Sequence, residues 1–233
     1  MPLAPTPPAS TPPASAPRRR CEVRTYTPRW RTSALTAERA ATPLPAREVP
    51  PGVLEPRVAF GRAAPLVLEV GSGHGDAALG YAVAHPHHDV LAVEVHLPGV
   101  ARMLAAAEEH GIPNLRVHRG DAVPFLAERV RPGGLAAVHL FFPDPWPKRR
   151  HAGRRFVRAA NLALVGRALE PGGMLRLATD VQGYAGQARR ELAAAGWVVE
   201  PVDRPAWRPV DGFEAKGLAA GRRVTDLVAR WSG

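Results

Sequence analysis

The sequence predicts a doubly wound α/β fold, in which a mostly parallel, seven-stranded sheet carries helices on both faces. Three observations support this prediction. Short apolar runs bounded by proline or glycine recur along the chain, beginning with Leu66–Val70. Segments with helical spacing alternate with these runs, as from Pro98 to His110. A glycine-rich turn from Gly71 to Gly75 directly follows the first run.

The apolar runs predict the strands, and the segments with helical spacing predict the helices. Leu66–Val70 is the first of seven predicted strands, and the others are Asp89–Val93, Leu115–His118, Leu135–Phe142, Met174–Ala178, Trp197–Val202 and Val224–Trp231. Helices are predicted over Pro98–His110, Pro124–Val130, Val157–Ala168 and Tyr184–Ala195. Pro98 suits the first turn of its helix, and Gly111 lies just past the end of that helix.

Composition divides the chain into three parts. Residues 1–20 are rich in proline and alanine, with almost no large apolar side chain, and we expect a disordered tail. Residues 21–62 are broken by several prolines and form an N-terminal extension, with one short helix over 36–41. Residues 63–233 form the main domain.

The charge and the cysteine content limit the classes of partner and of metal site that this protein can have. The net charge of +10 and the pI near 11.1 favour association with polyanions. The single cysteine, Cys21, excludes an internal disulfide framework and a cysteine-rich zinc site. No metal site is predicted, because the three histidines of the 85–88 segment lack further ligands at suitable spacing. No apolar run is long enough to cross a membrane, so we expect a cytoplasmic protein.

Acidic residues at the strand ends predict a nucleoside site. Glu69 stands at the end of the first strand, just before Gly71 and Gly73. Glu94 follows the second strand, 94 − 71 = 23 residues beyond the first glycine, where a carboxylate can accept from ribose hydroxyls. Asp121 follows the third strand and could accept from an adenine amino group. Because a carboxylate before the glycines would repel phosphates, this arrangement favours S-adenosylmethionine over a dinucleotide, unless the acids merely cap helices or face solvent.

The segment after the fourth strand predicts the reacting site. It reads Phe-Phe-Pro-Asp-Pro-Trp-Pro over residues 141–147, and its three prolines stiffen the backbone around Asp144. Trp146 offers a flat face for a base. We expect Lys148, Arg149, Arg154 and Arg155 to contact phosphates.

This segment, with its His-x-x-Arg-Arg element, resembles the bacterial tRNA (guanine-N7-)-methyltransferase family. Further matching motifs start at Glu94, at Asn114, at Ala178 and at Arg208. The resemblance runs from about residue 66 to the end, and more weakly includes Arg24–Tyr26.

The resemblance implies a Rossmann-like class I methyltransferase fold and methyl transfer from S-adenosylmethionine to N7 of a guanine in the tRNA variable loop. By resemblance, Asp144 is the catalytic residue, and the cofactor positions are Glu69, Gly71, Gly73, Glu94, Asp121 and Asp144. The implied substrate contacts are Lys148, Asp180, Asp211, Gly212, Phe213 and Glu214. The family implies no obligate protein partner, so we expect a monomer or a homodimer.

Three departures from the family pattern keep other functions open. Asp211-Gly212 stands where the family has Thr-x, Val181-Gln182 where it has Trp-Glu, and Arg222-Arg223 where it has His-Gly. The alternatives are methylation of another RNA base or of a small molecule, and tRNA binding without catalysis. A nicotinamide dehydrogenase does not fit the glycine spacing.

The expected mechanism needs no general base, because guanine N7 carries a lone pair and no proton. Catalysis should therefore depend on alignment of the reacting atoms and on stabilisation of the positive charge that develops on the base. We expect Asp144 and Asp180 to grip the N1–H and amino edge of the guanine, with Glu214 as a third candidate.

Overall fold

The structure is a computed structural model, which describes Glu38, Ala41 and residues 43–231. The predicted tail over residues 1–20 and Cys21 lie outside the described residues, as does most of the short helix predicted over 36–41.

A seven-stranded, mostly parallel sheet forms the centre of the domain, as predicted. The strands are β1 (Leu66–Val70), β2 (Asp89–Glu94), β3 (Leu115–Arg119), β4 (Leu135–Phe141), β5 (Leu169–Thr179), β6 (Trp197–Val202) and β7 (Thr225–Trp231). Their order is β3-β2-β1-β4-β5-β7-β6. The first five strands pair in parallel, and β7 pairs antiparallel with both β5 and β6.

Helices cover both faces of the sheet. They are α1 (Pro43–Arg47), α2 (Pro56–Phe60), α3 (Asp76–Ala84), α4 (Leu97–Glu109), α5 (Ala122–Glu128), α6 (Ala159–Ala168), α7 (Gln182–Ala194) and α8 (Gly212–Ala219), with a 3₁₀ helix over Arg149–Arg154. Alternate residues of β1 point to opposite faces. Val67 packs with α3 and α4, whereas Leu66 and Leu68 pack with α5, α6 and α7.

The strand order reverses beside β1, and this reversal positions the site. From β1 the chain moves outward through β2 to β3, and it then returns to place β4 on the other side of β1. The loops that leave β1 and β4 therefore diverge at the carboxyl edge of the sheet. In open α/β sheets a ligand crevice forms at such a point.

The structure differs from the sequence prediction at several elements, among them α1 and α2, which were not predicted, and α8 and β5. Helix α8 was not predicted, because it begins at a glycine and buries only Glu214 and Gly217, so no apolar periodicity marks it. Strand β5 begins at Leu169 rather than Met174. The predicted turn at residues 171–173 lies inside the strand, where the pairing of β4 with β5 shifts register between Leu135 and Ala137.

The described part of the N-terminal extension packs against the main domain. Val49 donates its N–H to the carbonyl of Val117 in β3 at 2.9 Å, and Leu54 donates to the carbonyl of Arg129 at 2.8 Å. Val49 and Leu54 are both buried. Within the described residues, no helix is both long and apolar enough to cross a membrane.

Candidate active site

A cavity opens at the carboxyl edge of the sheet between the loops that follow β1 and β4. Its volume is about 400 Å³, which suits a small-molecule site. It is lined by Gly71 and Gly73 after β1, by Glu94 at the end of β2, and by Asp144 and Trp146 after β4. An adjoining cavity of about 170 Å³ shares both glycines and extends to Glu69. The structure therefore brings together the predicted cofactor turn and the predicted reacting loop.

The glycine turn is shaped for close approach of a ligand. Gly71 has φ 70° and Gly73 has φ 57°, a left-handed conformation that glycine adopts without steric cost. The N–H of Gly71 donates to the carbonyl of Val93 at 2.8 Å, which ties the turn to the end of β2. The two glycines thus leave this wall of the cavity without side chains at positions 71 and 73.

The Glu94 carboxylate is held in place by backbone donors. Its Oε2 accepts from the N–H of Gly73 at 2.7 Å, and its Oε1 accepts from Val95 at 2.7 Å and His96 at 2.8 Å. Since each carboxylate oxygen has two lone pairs, Oε2 keeps capacity for one further donor. This fits the predicted contact with a ribose hydroxyl.

Glu69 is a buried carboxyl group that lacks a partner for one oxygen. The residue is 3% exposed, and its Oε2 has no hydrogen-bond partner among the described residues. Burial, and to a lesser extent the nearby carboxylate of Asp211, raise the pKa of Glu69 to about 8, while Arg208 opposes the rise. Glu69 lines the smaller cavity together with Asp76, Asp211 and Lys216. An unpartnered acid beside two others is suited to a cationic group such as an ammonium.

The loop after β4 has an unusual backbone. Phe142 (φ 47°) and Trp146 (φ 40°) are the two non-glycine residues with positive φ in the described chain. Phe142 extends the pairing of β4 with β5, because its N–H donates to the carbonyl of Ala178 at 2.8 Å. Such conformations persist only where the surroundings enforce them, and they concentrate at functional sites.

Asp144 stands at the mouth of the larger cavity. Although it is among the exposed residues, the surrounding protein withholds enough water to raise the pKa of its carboxyl group. The Arg154 guanidinium lies 4.9 Å from the centre of the Trp146 ring, and His151 meets the edge of that ring. Arg154 also lines the cavity, so one wall is aromatic and cationic. Lys148 is exposed at the N-terminus of the 3₁₀ helix.

Asp121 and Asp180, predicted to contact the cofactor and the substrate, interact with other residues of the protein in this structure. Asp121 caps α5 and accepts the N–H of Val123 at 2.9 Å, and it does not line either cavity of the described chain. Asp180, which follows β5, accepts from Nε of Arg222 at 2.8 Å. The departure Arg222 thus neutralises a predicted substrate contact.

The side chains of the predicted substrate segment from Asp211 to Glu214 face two different environments. Asp211 caps α8, accepting the N–H groups of Phe213 at 2.8 Å and Glu214 at 2.7 Å. Asp211, Gly212 and the exposed Phe213 line the smaller cavity. The carboxylate of Glu214 instead points into the protein, where it is 3% exposed and accepts from Arg208 at 2.6 Å.

Arg208 is a structural residue of the site to which sequence reasoning gave no role. It is 1% exposed, and it also donates to both carboxylate oxygens of Asp226 in β7 at 3.0 Å. Its guanidinium lies 5.2 Å from the ring centre of Phe141 and 5.4 Å from that of Phe142. Arg208 therefore connects α8, β7 and the end of β4. The only sequence signal was that one of the motifs matching the family starts at Arg208.

Comparison with known proteins agrees with this geometry. Residues 63–227 match a family model described as "Putative methyltransferase". The tRNA (guanine-N(7)-)-methyltransferase of Paracidovorax citrulli is 43% identical over 77% of this chain and 74% of its own length. The enzyme of the same name from a Nocardioides species is 48% identical over 75% of this chain and 71% of its own.

A solved structure supports the fold independently. The 16S rRNA methyltransferase KamB superposes with a TM-score of 0.56 at 16% identity, covering 78% of this chain and 96% of KamB. At that identity the likeness concerns the fold alone, and it confirms the predicted Rossmann-like methyltransferase architecture. The sequence identity and the family model together show that the chain belongs to the tRNA (guanine-N(7)-)-methyltransferase family.

Proposed function

We propose that this protein transfers the methyl group of S-adenosylmethionine to N7 of a guanine in the variable loop of tRNA. The observation that carries the proposal is the shared cavity, in which Asp144 and Trp146 face the glycine turn and Glu94. A base stacked at Trp146 would then lie beside a cofactor bound at the turn. The names of the two relatives given above state methyl transfer to N7 of guanine in tRNA.

The residues of the two cavities fit the cofactor. Glu94 has a free acceptor position for a ribose hydroxyl, and the glycine turn leaves room for the nucleoside. The unpartnered oxygen of Glu69 suits the ammonium of the methionine moiety. S-adenosylmethionine supplies a methyl group activated by its sulfonium, so the protein itself needs neither a nucleophile nor a metal for the transfer.

Asp144 and Trp146 bind and orient the base. The stiff loop fixes both side chains at the mouth of the cavity. A carboxylate can accept from the N1–H and amino edge of guanine, which orients N7 towards the methyl group. The ring gains positive charge as the new bond forms, and the negative charge of Asp144 stabilises that charge.

Asp180 and the α8 segment complete the proposed guanine site. Asp180 follows β5, next to β4 in the sheet, and its pairing with Arg222 involves Oδ2, so that Oδ1 would accept from the base. Asp211, Gly212 and Phe213 line the smaller cavity. Glu214 acts on the substrate through the position of α8, since Arg208 holds its carboxylate.

Exposed basic side chains near the loop would bind the tRNA backbone. Lys148, Arg150 and Arg154 are exposed on the segment that follows Trp146, and positive side chains in such a group release counterions when they meet phosphates. Asp121 stays a proposed cofactor contact. We place the enzyme in the cytoplasm and propose that it acts as a monomer or a homodimer.

Methyl transfer to defined transcripts tests the proposal. Unmodified tRNA is incubated with the protein and tritiated S-adenosylmethionine, and chemical cleavage at 7-methylguanosine maps the product. The matched control is the same transcript made with 7-deazaguanosine, which has no N7. We expect label in the first transcript and none in the second. Equal label in both would establish another target atom, and binding without label would establish a non-catalytic tRNA-binding protein.

A further inference from the structure

The adjacent residues Arg154 and Arg155 differ in what they contact, although the sequence predicted phosphate contacts for both. Arg154 is exposed and lies over the ring of Trp146. Arg155 is partly buried and turns towards the backbone of residues 143–147, the proline loop. Its Nε donates to the carbonyl of Pro145 at 2.9 Å, and its Nη2 donates to the carbonyl of Trp146 at 3.0 Å.

The loop that accepts these two hydrogen bonds has few other hydrogen bonds that could hold its backbone. Residues 143–147 form no helix or strand, and prolines 143, 145 and 147 supply no N–H groups. Trp146 between them adopts φ 40°, a conformation that costs free energy in a non-glycine residue. A donor from outside the loop must therefore hold this backbone, and the planar guanidinium can reach two neighbouring carbonyls at once.

Arg155 is itself firmly anchored. Its backbone N–H donates to the carbonyl of Ala152 at 3.1 Å, at the end of the 3₁₀ helix. The next two residues, Phe156 and Val157, are buried in the core. Its guanidinium lies 6.0 Å from the ring centre of Tyr184 on α7, a residue that is 1% exposed. The loop is thus tied through Arg155 to the core side of the sheet.

We propose that Arg155 is a positioning residue, which fixes the proline loop so that Asp144 and Trp146 keep their places in the cavity, and not a phosphate contact. The inference rests on the proposed function for its effect on catalysis. Asp144 directly precedes Pro145, so a shift of the Pro145 carbonyl moves the peptide that carries Asp144. A misplacement of ~1 Å at a reacting centre can lower a rate about 100-fold.

Substitution by lysine separates positioning from phosphate binding. Lysine keeps the positive charge but cannot make the two-pronged contact with both carbonyls. We therefore expect Arg155→Lys to lower kcat by about 10- to 100-fold, nearly as much as Arg155→Ala. The KM for tRNA and the salt dependence of tRNA binding should stay close to wild type in both variants. Arg150→Ala, which removes an exposed charge nearby, should instead reduce the salt slope by about one.

A second measurement does not depend on activity. The fluorescence of Trp146 is obtained as the difference between each protein and its Trp146→Phe counterpart, and it is quenched with acrylamide. We expect quenching of Trp146 to increase in Arg155→Lys and in Arg155→Gln, because the loop loosens, while Arg150→Ala leaves it unchanged. Arg155→Gln serves where the alanine variant fails to fold, as judged by circular dichroism.

The outcomes are distinct. Wild-type kcat in Arg155→Lys, together with a reduced salt slope in Arg155→Ala, would make Arg155 a phosphate contact and overturn the inference. Unchanged quenching of Trp146 in Arg155→Lys and Arg155→Gln would overturn it as well. Failure of the wild-type protein to methylate tRNA would refute the proposed function alone, because the quenching experiment would still decide whether Arg155 holds the loop.

Discussion

The buried carboxyl group of Glu69, whose Oε2 has no hydrogen-bond partner in the described part of the chain, should make the ligand-free protein less stable as the pH rises. Burial raises the pKa of Glu69 from its usual 4.5 to about 8. Between these values the folded protein keeps the proton of Glu69, whereas the unfolded chain has lost it. Because the folded state binds the extra proton, the contribution of Glu69 to stability is fully present below about pH 4.5 and is lost as the pH rises through about 8.

The size of the effect follows from the same pKa. One pH unit corresponds to ~1.4 kcal/mol for a single proton. Between about pH 5.5 and pH 7.5, Glu69 should therefore remove ~2–3 kcal/mol from the free energy of unfolding. This loss is large beside the ~5–15 kcal/mol that stabilises most domains.

Glu69→Gln isolates this contribution, because glutamine resembles the protonated acid and does not titrate. The free energy of unfolding is measured by urea titration at both pH values, without cofactor, for wild type and variant. We expect the wild type to lose ~2–3 kcal/mol more than Glu69→Gln on the move to the higher pH. The control Glu109→Gln makes the same chemical change at an exposed position on α4 and should follow the wild type.

Parallel pH dependences for wild type and Glu69→Gln would refute the reasoning, because they would mean that the buried carboxyl group titrates alike in both states. The same variant also tests the cofactor assignment. If Glu69 meets an ammonium, Glu69→Gln should weaken S-adenosylmethionine binding by roughly 1.5–3 kcal/mol, the range for a hydrogen bond to a charged group. Calorimetry on the two proteins measures that loss.

Three further predictions concern the loop, the tRNA surface and the buried ion pairs. Asp144→Asn should fold and bind cofactor yet lose roughly 2–4 kcal/mol of transition-state stabilisation; single-turnover kinetics at the wild-type rate would remove Asp144 from the mechanism. Lys148→Ala should flatten the salt dependence of tRNA binding by about one unit of slope, and an unchanged slope would exclude a phosphate contact. Arg208→Met should cost roughly 3–5 kcal/mol in urea unfolding, because it removes the buried partner of Asp226 and leaves Glu214 only the longer contact with Arg204; a cost below ~1 kcal/mol would contradict this prediction.

Local pattern was sufficient to predict the sheet and the two loops that form the cavity. A buried parallel strand appears as a continuous apolar run, and β1 has the predicted limits Leu66–Val70. Glycine spacing located the turn at Gly71 and Gly73, and proline density located the loop around Asp144. Because the carboxyl ends of parallel strands lie at one edge of a sheet, the sequence could also predict that both loops lie at that edge.

The positions of long charged side chains could not be predicted in the same way. Glu214 and Asp211 lie three residues apart on one segment, yet Asp211 lines the smaller cavity while Glu214 faces Arg208 inside the protein. Which of the two turns inward depends on where α8 packs, and the contacts of Arg208, just before α8, with Glu214 and with Asp226 in β7 determine that. No local periodicity marks such a contact, because all three partners are polar.

Contacts that cannot be predicted from the sequence also make the net charge a poor measure of how many side chains bind nucleic acid. Several arginines already donate to backbone carbonyls: Arg116 donates to that of Ala59 at 2.8 Å, Arg167 to that of Val130 at 3.1 Å, and Arg155 to that of Pro145 at 2.9 Å. A guanidinium that already donates to backbone carbonyls has fewer donors left for a phosphate. The tRNA footprint should therefore be smaller than a charge of +10 suggests. It should centre on exposed residues such as Lys148 and Arg150, whose contributions to the salt slope can be measured one at a time.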